Sequence, residues 1–423
     1  MRRLLVITYY WPPAGGAGVQ RWLKFSKYLP QFGWEPVILT VYPQFAAYPA
    51  LDATLVKDIP DLIKVYRTKA TDWFRLYGND KSKVPSAGFA MNMDNSLKGK
   101  ISRFIRGNFF IPDPRRGWNK FAFRKACEII ETQKINHIIT TSPPHSTQLI
   151  GLRLKERFPG ITWISDLRDA WTDIYYYKLF YPSKISAAID AGYERKVLRN
   201  ADKIITVGNN LATTFSSRIK EARAKIHIIP NGYDEEDFEG VELTLPDRFT
   251  ITYIGTMSKA YPIDAFLQAL SVIEKTGHDF LLRFVGYITG DLKTKITDCI
   301  SREKTEFAAY SEHPEAIRFM ASSSLLLLVV PFTESNKVIT PGKLFEYIAT
   351  GKPVLYIGPV DGDPANHLRL CGHSGIFSGQ SAGDIEKFIL KIMSRGESWS
   401  FIKHPEYSRK MLTQKLGEVL AGL

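Results

Sequence analysis

The chain has 423 residues, 44% hydrophobic and 23% charged, proportions that exclude a disordered chain, a coiled coil and a collagen-like fibre. Cys127, Cys299 and Cys371 stand far apart with no CxxC pair, which argues against a disulfide scaffold or zinc module and fits a reducing compartment. The net charge of +13 sits in one half: residues 1–200 carry 31 Lys and Arg against 16 Asp and Glu, while residues 201–423 come to −2.

Short apolar, β-branched runs alternate with helical patterns throughout, which predicts an α/β fold of parallel sheets covered by helices. The first strands are expected at 4–8, 36–41, 137–140, 162–165, 203–207 and 226–229. Between the first two, Val19, Trp22, Leu23, Ser26 and Leu29 share one helical face. Residues 42–110 are less regular, with a long excursion expected around 82–96. A polar, turn-rich stretch from Asn231 to Asp247 reads as a hinge. Beyond it, strands are expected at 250–254, 280–285, 325–330 and 353–357, and a last helix at 408–420. The reading is two Rossmann-like domains, residues 1–238 and 245–404, followed by a C-terminal segment, 405–423, that packs back toward the first domain.

The longest apolar run, Leu325 to Val330, is far shorter than the roughly 20 residues a bilayer span needs. Leu4 to Ile7 after the Met1-Arg2-Arg3 start is also too short for a signal-peptide core. A cytoplasmic protein is expected.

In open α/β sheets ligands bind at the strand carboxyl ends, so the loops there carry the functional argument. Residues 9–18 read YYWPPAGGAG, placing Gly15 and Gly16 ahead of a helix, where backbone amides can approach an anion. The dinucleotide fingerprint fails: Arg21 occupies its third glycine position and no acid closes the second strand, so a nicotinamide cofactor is not expected. There is no GxxxxGK[ST] loop, because Gly342-Lys343 is followed by Leu344.

Residues 163–171 read WISDLRDAW and put Asp166, Arg168 and Asp169 at a strand end. A carboxylate there could stabilise positive charge or move a proton, with Arg168 orienting it. The structural alternative is an internal Arg168–Asp169 pair capping the next helix. Residues 334–347 read ESNKVITPGKLFEY: a strand ends, Thr340-Pro341-Gly342 turns, and a helix starts near Lys343. Amides at that start and the Lys343 ammonium suit a phosphate, and Glu346 one turn later suits a ribose diol. His367, Cys371 and His373 lack ordered metal-ligand spacing and an evident fourth ligand, so no metal is expected there. His145 reads as part of a helix start.

The stretch from Lys98 to Lys125 interleaves Arg103, Arg106, Arg115, Arg116, Lys120 and Arg124 with Phe104, Phe109, Phe110, Trp118, Phe121 and Phe123. It suits an anionic membrane surface, a nucleic acid, or a solvated basic face over buried aromatics.

Taken together these loops resemble the glycosyltransferase family 4-like enzymes of GT-B fold. The resemblance covers nearly the whole chain: Gly15-Gly16, Thr141-Ser142-Pro143-Pro144, residues 166–171, Ile229-Pro230-Asn231-Gly232-Tyr233-Asp234, Tyr253-Ile254-Gly255-Thr256, Val285-Gly286, and residues 341–347 with Gly351-Lys352-Pro353. It implies two Rossmann-like domains facing each other across a cleft. It also implies retaining transfer of a sugar from a nucleotide-diphosphate donor, with no cofactor and no required metal. Donor contacts are implied at Gly15, Gly16, Gly255, Thr256, Lys259, Thr340, Pro341, Gly342, Lys343, Leu344 and Glu346. Look-alikes are bacterial enzymes building surface polysaccharides or lipopolysaccharide-type glycans. The acceptor is then lipid-linked or a glycan, at an anionic inner leaflet bound through residues 98–125, and no nucleic-acid partner is expected.

The chain departs from the family pattern in three places. Asp166 stands where many members carry a histidine, Val338 replaces the first glutamate of a Glu-seven-residues-Glu motif, and only Lys259 lies near a position often held by arginine. A nucleotide-sugar epimerase or hydrolase on the same scaffold is the main rival reading, and a basic nucleic-acid-binding protein the second. Asp166 is the candidate nucleophile if retention proceeds by double displacement, and same-face attack is the other route.

Overall fold

The structure, a computed structural model, describes residues 1–48, 51–71, 73, 96–395 and 404–422. The excursion expected around residues 82–96 lies, apart from Ser96, outside the described residues. The described chain divides into two compact units, one made of residues up to 231 together with 409–422, the other of residues 232–408.

The first unit runs β1 (Arg2–Ile7), α1 (Ala17–Tyr28), β2 (Trp34–Val41), β3 (Lys64–Thr68), α2 (Leu97–Phe109), α3 (Asn119–Gln133), β4 (His137–Ser142), α4 (Gln148–Arg157), β5 (Thr162–Leu167), α5 (Lys184–Asn200), β6 (Lys203–Thr206), α6 (Asn209–Arg218) and β7 (Ile226–Ile228). Its parallel sheet has the order β3-β2-β1-β4-β5-β6-β7. The order reverses between β1 and β4, where Ile7 stands beside Thr140. That reversal brings the loops after β1, β4 and β5 to one place.

The second unit runs β8 (Thr250–Ile254), α7 (Asp264–Lys275), β9 (Leu281–Val285), α8 (Gly290–Cys299), β10 (Thr305–Ala308), α9 (His313–Ala321), β11 (Leu325–Val329), α10 (Lys343–Ala349), β12 (Val354–Ile357), α11 (Asp363–Leu370), β13 (Ile376–Phe377) and α12 (Ala382–Arg395). Its parallel order is β10-β9-β8-β11-β12-β13, reversing between β8 and β11. The loops after those two strands carry Gly255 and the 330–342 segment.

Central strands are buried on both faces: Leu4 to Ile7 of β1 and Leu325 to Leu328 of β11 are wholly inaccessible, which is why they read as continuous apolar runs. The expected face of α1 is buried through Val19, Trp22, Leu23 and Ser26. A last helix, α13 (Arg409–Ala421), adds Leu412, Leu416 and Leu420 to the same core as Trp22 and Leu23. Those leucines recur every fourth residue and contribute roughly 1.5–3 kcal/mol each on burial. Gly417 lies between them, where an added Cβ would stand 3.2 Å from the Phe32 Cβ.

Three strands have no counterpart in the sequence reading: β3, β10 and β13. All three are edge strands. Covered on one side only, their sequences KVYRT, TEFA and IF are half-buried and need no apolar run. Among the described residues no helix is long and apolar enough to cross a membrane.

Candidate active site

In the first unit the polar cluster forms where β1, β4 and β5 end. Asp166, in β5 beside Thr141 of β4, has no exposed surface. Trp22 Nε1 and Thr141 Oγ1 each donate to its Oδ2 at 2.7 Å. The Arg21 guanidinium reaches both oxygens, Nε to Oδ2 at 3.3 Å and Nη2 to Oδ1 at 3.1 Å. Arg21 Nη1 also donates to the Pro230 carbonyl at 2.9 Å. A carboxylate enclosed in this way exposes no surface to solvent. Whatever its part in the chemistry, Asp166 organises the strand ends, tying α1 to β4, β5 and the end of the first unit. Arg21, Trp22 and Thr141 were not singled out for this role, because nothing in their local sequence marks a partner so distant.

Arg168 is also buried and acts as a strap. Its Nε donates to the Ser142 carbonyl at 2.9 Å and its Nη1 to the Gly18 carbonyl at 2.8 Å. Burial lowers its pKa, while Asp166 opposes that shift. No ion pair joins Arg168 to Asp169, so the expected internal pair is absent and Asp169 is left open to solvent. Neighbouring protein nevertheless desolvates the Asp169 carboxyl and raises its pKa, and the Arg168 charge opposes that shift. Tyr175 and Tyr176 share these surroundings, their phenols raised by burial and by neighbouring charge that includes Asp169. Arg106 sits over the Phe180 ring at 3.9 Å, and burial with the nearby Arg115 charge brings its pKa down to about 10.

His145 lies in the loop between β4 and α4, stacked on Trp171 with ring centroids 4.9 Å apart. It is 8% exposed, and neither ring nitrogen has a hydrogen-bond partner. Burial drives its pKa down to about 4, so the ring is neutral. Trp171 Nε1 donates to Asp190 at 2.8 Å.

The glycine loop after β1 is explained mostly by packing. An added Cβ at Gly15 would stand 3.2 Å from the Asp52 Cβ, and Gly16 takes a positive φ of 95° at the start of α1. Gly16 is exposed, and the first turn of α1 holds no acidic side chain.

In the second unit α10 turns its charged side chains toward the end of β8. The Lys343 ammonium donates to the Ile254 carbonyl at 2.5 Å and lies 3.6 Å above the Tyr253 ring. An added Cβ at Gly255, whose φ is 122°, would come within 3.4 Å of that ammonium. Burial lowers the Lys343 pKa to about 7 against the opposing charge of Glu346. Glu346, half-buried, stands 3.9 Å from His313 Nδ1, and the other nitrogen of His313 meets Asp237 at 3.0 Å. Thr340 Oγ1 is buried without a partner.

The remaining residues divide. Thr256, Pro341 and Gly342 are half-buried around this turn, and Lys259 is exposed on the loop after β8. Leu344 points into the hydrophobic core and takes no part. The expected helix-start amides belong to a helix of seven residues, so the weight falls on Lys343, Glu346 and Thr340. His313 and Asp237 are additions that no sequence signal marked.

The basic stretch splits in two. In α2, Leu97, Ile101, Phe104, Ile105 and Phe109 are exposed along one stripe, joined by Ile185 and Ile189 of α5. The opposite side packs inward: an added Cβ at Gly107 would strike Phe180, and Arg103 lies over Tyr181. From Ile111 onward the stretch folds in, with Arg115 and Trp118 buried. Along residues 98–125 the exposed cations are Lys98, Lys100, Arg116, Lys120 and Arg124, and Lys98 and Lys100 flank the apolar stripe together with Lys184 of α5.

Residues 89–237, about a third of the chain, match Glycosyltransferase Family 4. TuaH of Bacillus subtilis (strain 168), assigned as a teichuronic acid biosynthesis glycosyltransferase, is 20% identical over 313 residues, 66% of this chain and 77% of TuaH. The lipopolysaccharide outer core galactosyltransferase WaaB superposes with a TM-score of 0.56 at 12% identity, covering 100% of this chain and 99% of WaaB. A protein of Listeria monocytogenes assigned as a UDP-N-acetylglucosamine 2-epimerase gives 0.56 at 10% identity, covering 99% and 96%. With a family match over residues 89–237 of the first unit, a glycosyltransferase relative and two Rossmann-like sheets of this order, the chain has the GT-B fold and is similar to Glycosyltransferase Family 4 proteins.

Proposed function

We propose that the protein is a retaining, metal-independent glycosyltransferase. It moves a sugar from a nucleoside-diphosphate donor to a lipid-linked or polysaccharide acceptor in bacterial surface glycan synthesis. The observation that carries this reading is the Lys343–Glu346 pair on α10. Lys343 holds an ammonium against Ile254 and Tyr253, where it can move onto a diphosphate, and Glu346 one turn later offers carboxylate oxygens to a ribose diol. Thr340 adds a hydroxyl with no protein partner.

Cleavage of a sugar–phosphate bond builds negative charge on the leaving diphosphate and positive charge on the sugar. Lys343 stabilises the first without a metal. In the first unit Asp169 is an open carboxylate, with Arg168 strapping the Ser142 and Gly18 carbonyls beside it and Asp166 locking the strand ends beneath. Asp166 has both oxygens occupied, which favours same-face attack, in which a diphosphate oxygen takes the acceptor proton, over double displacement. Arg106 and Arg115, neighbouring guanidiniums, suit the phosphates of a lipid-linked acceptor. The apolar stripe of α2 and α5 suits insertion into an anionic bilayer that supplies it.

The test is thermal stabilisation by UDP, GDP, ADP, CMP and NAD. A ligand at about 100 times its Kd adds roughly 2.7 kcal/mol, a visible shift in melting. Stabilisation by one nucleoside diphosphate, lost in Glu346→Ala, is expected, and a response to NAD alone overturns the reading. The fold likeness to a 2-epimerase keeps one rival: isomerisation of a UDP-sugar in the absence of acceptor would favour it.

A further inference from the structure

The second unit also brings together three side chains that sequence spacing does not. Cys371 ends α11, and His404 and Glu406 lie 33 and 35 residues later, in the turn before α13. One ligand atom from each, the Cys371 thiol sulfur, a His404 ring nitrogen and a Glu406 carboxylate oxygen, lies within 4.8 Å of the other two. His404 Nδ1 and Glu406 Oε1 are 3.3 Å apart. Tetrahedral zinc, with bonds of about 2.0–2.3 Å, asks for ligand atoms roughly 3.3–3.6 Å apart. Rotations of three partly exposed side chains cover the difference.

From this juxtaposition we infer that Cys371, His404 and Glu406 form a binding site for one divalent transition metal of the zinc class. The thiol, imidazole and carboxylate are ligands that such borderline-soft cations accept, whereas magnesium and calcium prefer oxygen alone. Charge also balances. On binding, the Cys371 thiol loses its proton to solvent and the sulfur forms the metal bond. One thiolate and one carboxylate then neutralise the dication, and the imidazole stays neutral. An ordinary thiol is protonated near neutral pH, so metal uptake releases one proton there.

The site's surroundings say what a metal there would do. Tyr407, next to Glu406, packs its ring 5.2 Å from Phe345 of α10 and donates or accepts a hydrogen bond with His367 Nδ1 at 2.8 Å. The Tyr407 carbonyl accepts from the Tyr233 amide at 3.0 Å. A metal joining Cys371 to His404 and Glu406 therefore pins α11 to the turn that braces α10, the helix carrying Lys343 and Glu346. It is a structural clamp made from residues other than those assigned to the donor, and it stands whether or not the donor reading does.

The experiment uses the full chain, stripped with chelator and titrated with cobalt(II) as a spectroscopic probe for zinc. We expect one equivalent to bind with a thiolate-to-cobalt charge-transfer band, displaced by zinc. Cys371→Ser should abolish that band, while Cys127→Ser and Cys299→Ser leave it intact. His404→Gln and Glu406→Gln should each weaken binding at least tenfold. Absence of stoichiometric binding, or a band that survives in Cys371→Ser, overturns the inference. A melting temperature of each variant in chelator equal to that of the parent separates lost ligation from lost folding.

Discussion

The Arg21 guanidinium closes on the Asp166 carboxylate across 145 residues of sequence, and neither side chain has any exposed surface. Arg21 is also the residue that spoils the dinucleotide fingerprint. At the position where that fingerprint has a glycine, this chain carries a cation and pairs it internally.

That pairing separates the two aspartates. Removing one member of a buried ion pair typically costs about 3–5 kcal/mol, because the partner is left charged and unpaired. Asp166→Asn should therefore lower stability by that order in a urea titration. Asp169→Asn, an open carboxylate without an ion partner, should change stability by less than about 1 kcal/mol yet reduce turnover by roughly 100-fold or more. The reverse pattern would return the chemistry to Asp166.

Lys343 sets a pH dependence for donor binding. Its free-enzyme pKa of about 7 means that the ammonium is lost as pH rises through neutrality. A bound diphosphate favours the charged form and raises that pKa, so binding takes up a proton above pH 7. Between pH 7 and 9 the dissociation constant of the cognate nucleoside diphosphate should rise by up to about tenfold per unit. Calorimetry in two buffers of different ionisation enthalpy should detect the proton, and Lys343→Met should flatten the profile while weakening binding throughout.

Asp190 makes a prediction of opposite kind. Burial raises its pKa to about 6, against hydrogen bonds from Trp171 and Tyr177. A carboxyl whose folded pKa lies above its unfolded value destabilises the fold while ionised. That cost is complete above pH 6, shrinks as pH falls toward 4 and vanishes below. Asp190→Asn keeps an acceptor for Trp171 Nε1 and removes the charge. It should gain about 1–3 kcal/mol at pH 8 and nothing at pH 4, measured by denaturant titration.

The stripe on α2 is tested with vesicles. Each buried apolar side chain is worth roughly 1.5–3 kcal/mol, so Ile101→Ser with Phe109→Ser should weaken sedimentation with anionic vesicles at least tenfold. Lys98→Glu with Lys100→Glu should weaken it mainly at low salt. Equal binding by both double variants and the parent would remove the membrane from the reading.

What the sequence made legible follows from burial. β1 and β11 are covered on both faces, so their apolar runs announce them, whereas β3, β10 and β13 lie at sheet edges and carry no such run. Lys343 and Glu346 could be found because helix geometry puts residues three apart on one face. Asp166 could be located but not judged. Whether a carboxylate at a strand end reacts or is sequestered depends on what stands opposite, and Arg21, Trp22 and Thr141 come from two other elements. The same holds for His313, which stands between Glu346 and Asp237, residues from two other stretches of the chain.

The return of α13 to the first unit has a consequence for synthesis. A ribosome releases residues up to 231 long before Leu412, Leu416 and Leu420, which that unit's core requires. At about 5–20 residues per second the delay is roughly 10–40 s. During it the nascent first unit carries an open apolar groove beside Trp22 and Leu23 while the second unit folds as an insertion within it. Closure of that groove by α13 is thus the last step of assembly, and a chain halted before residue 412 should be captured by chaperones or proteases that read exposed apolar surface.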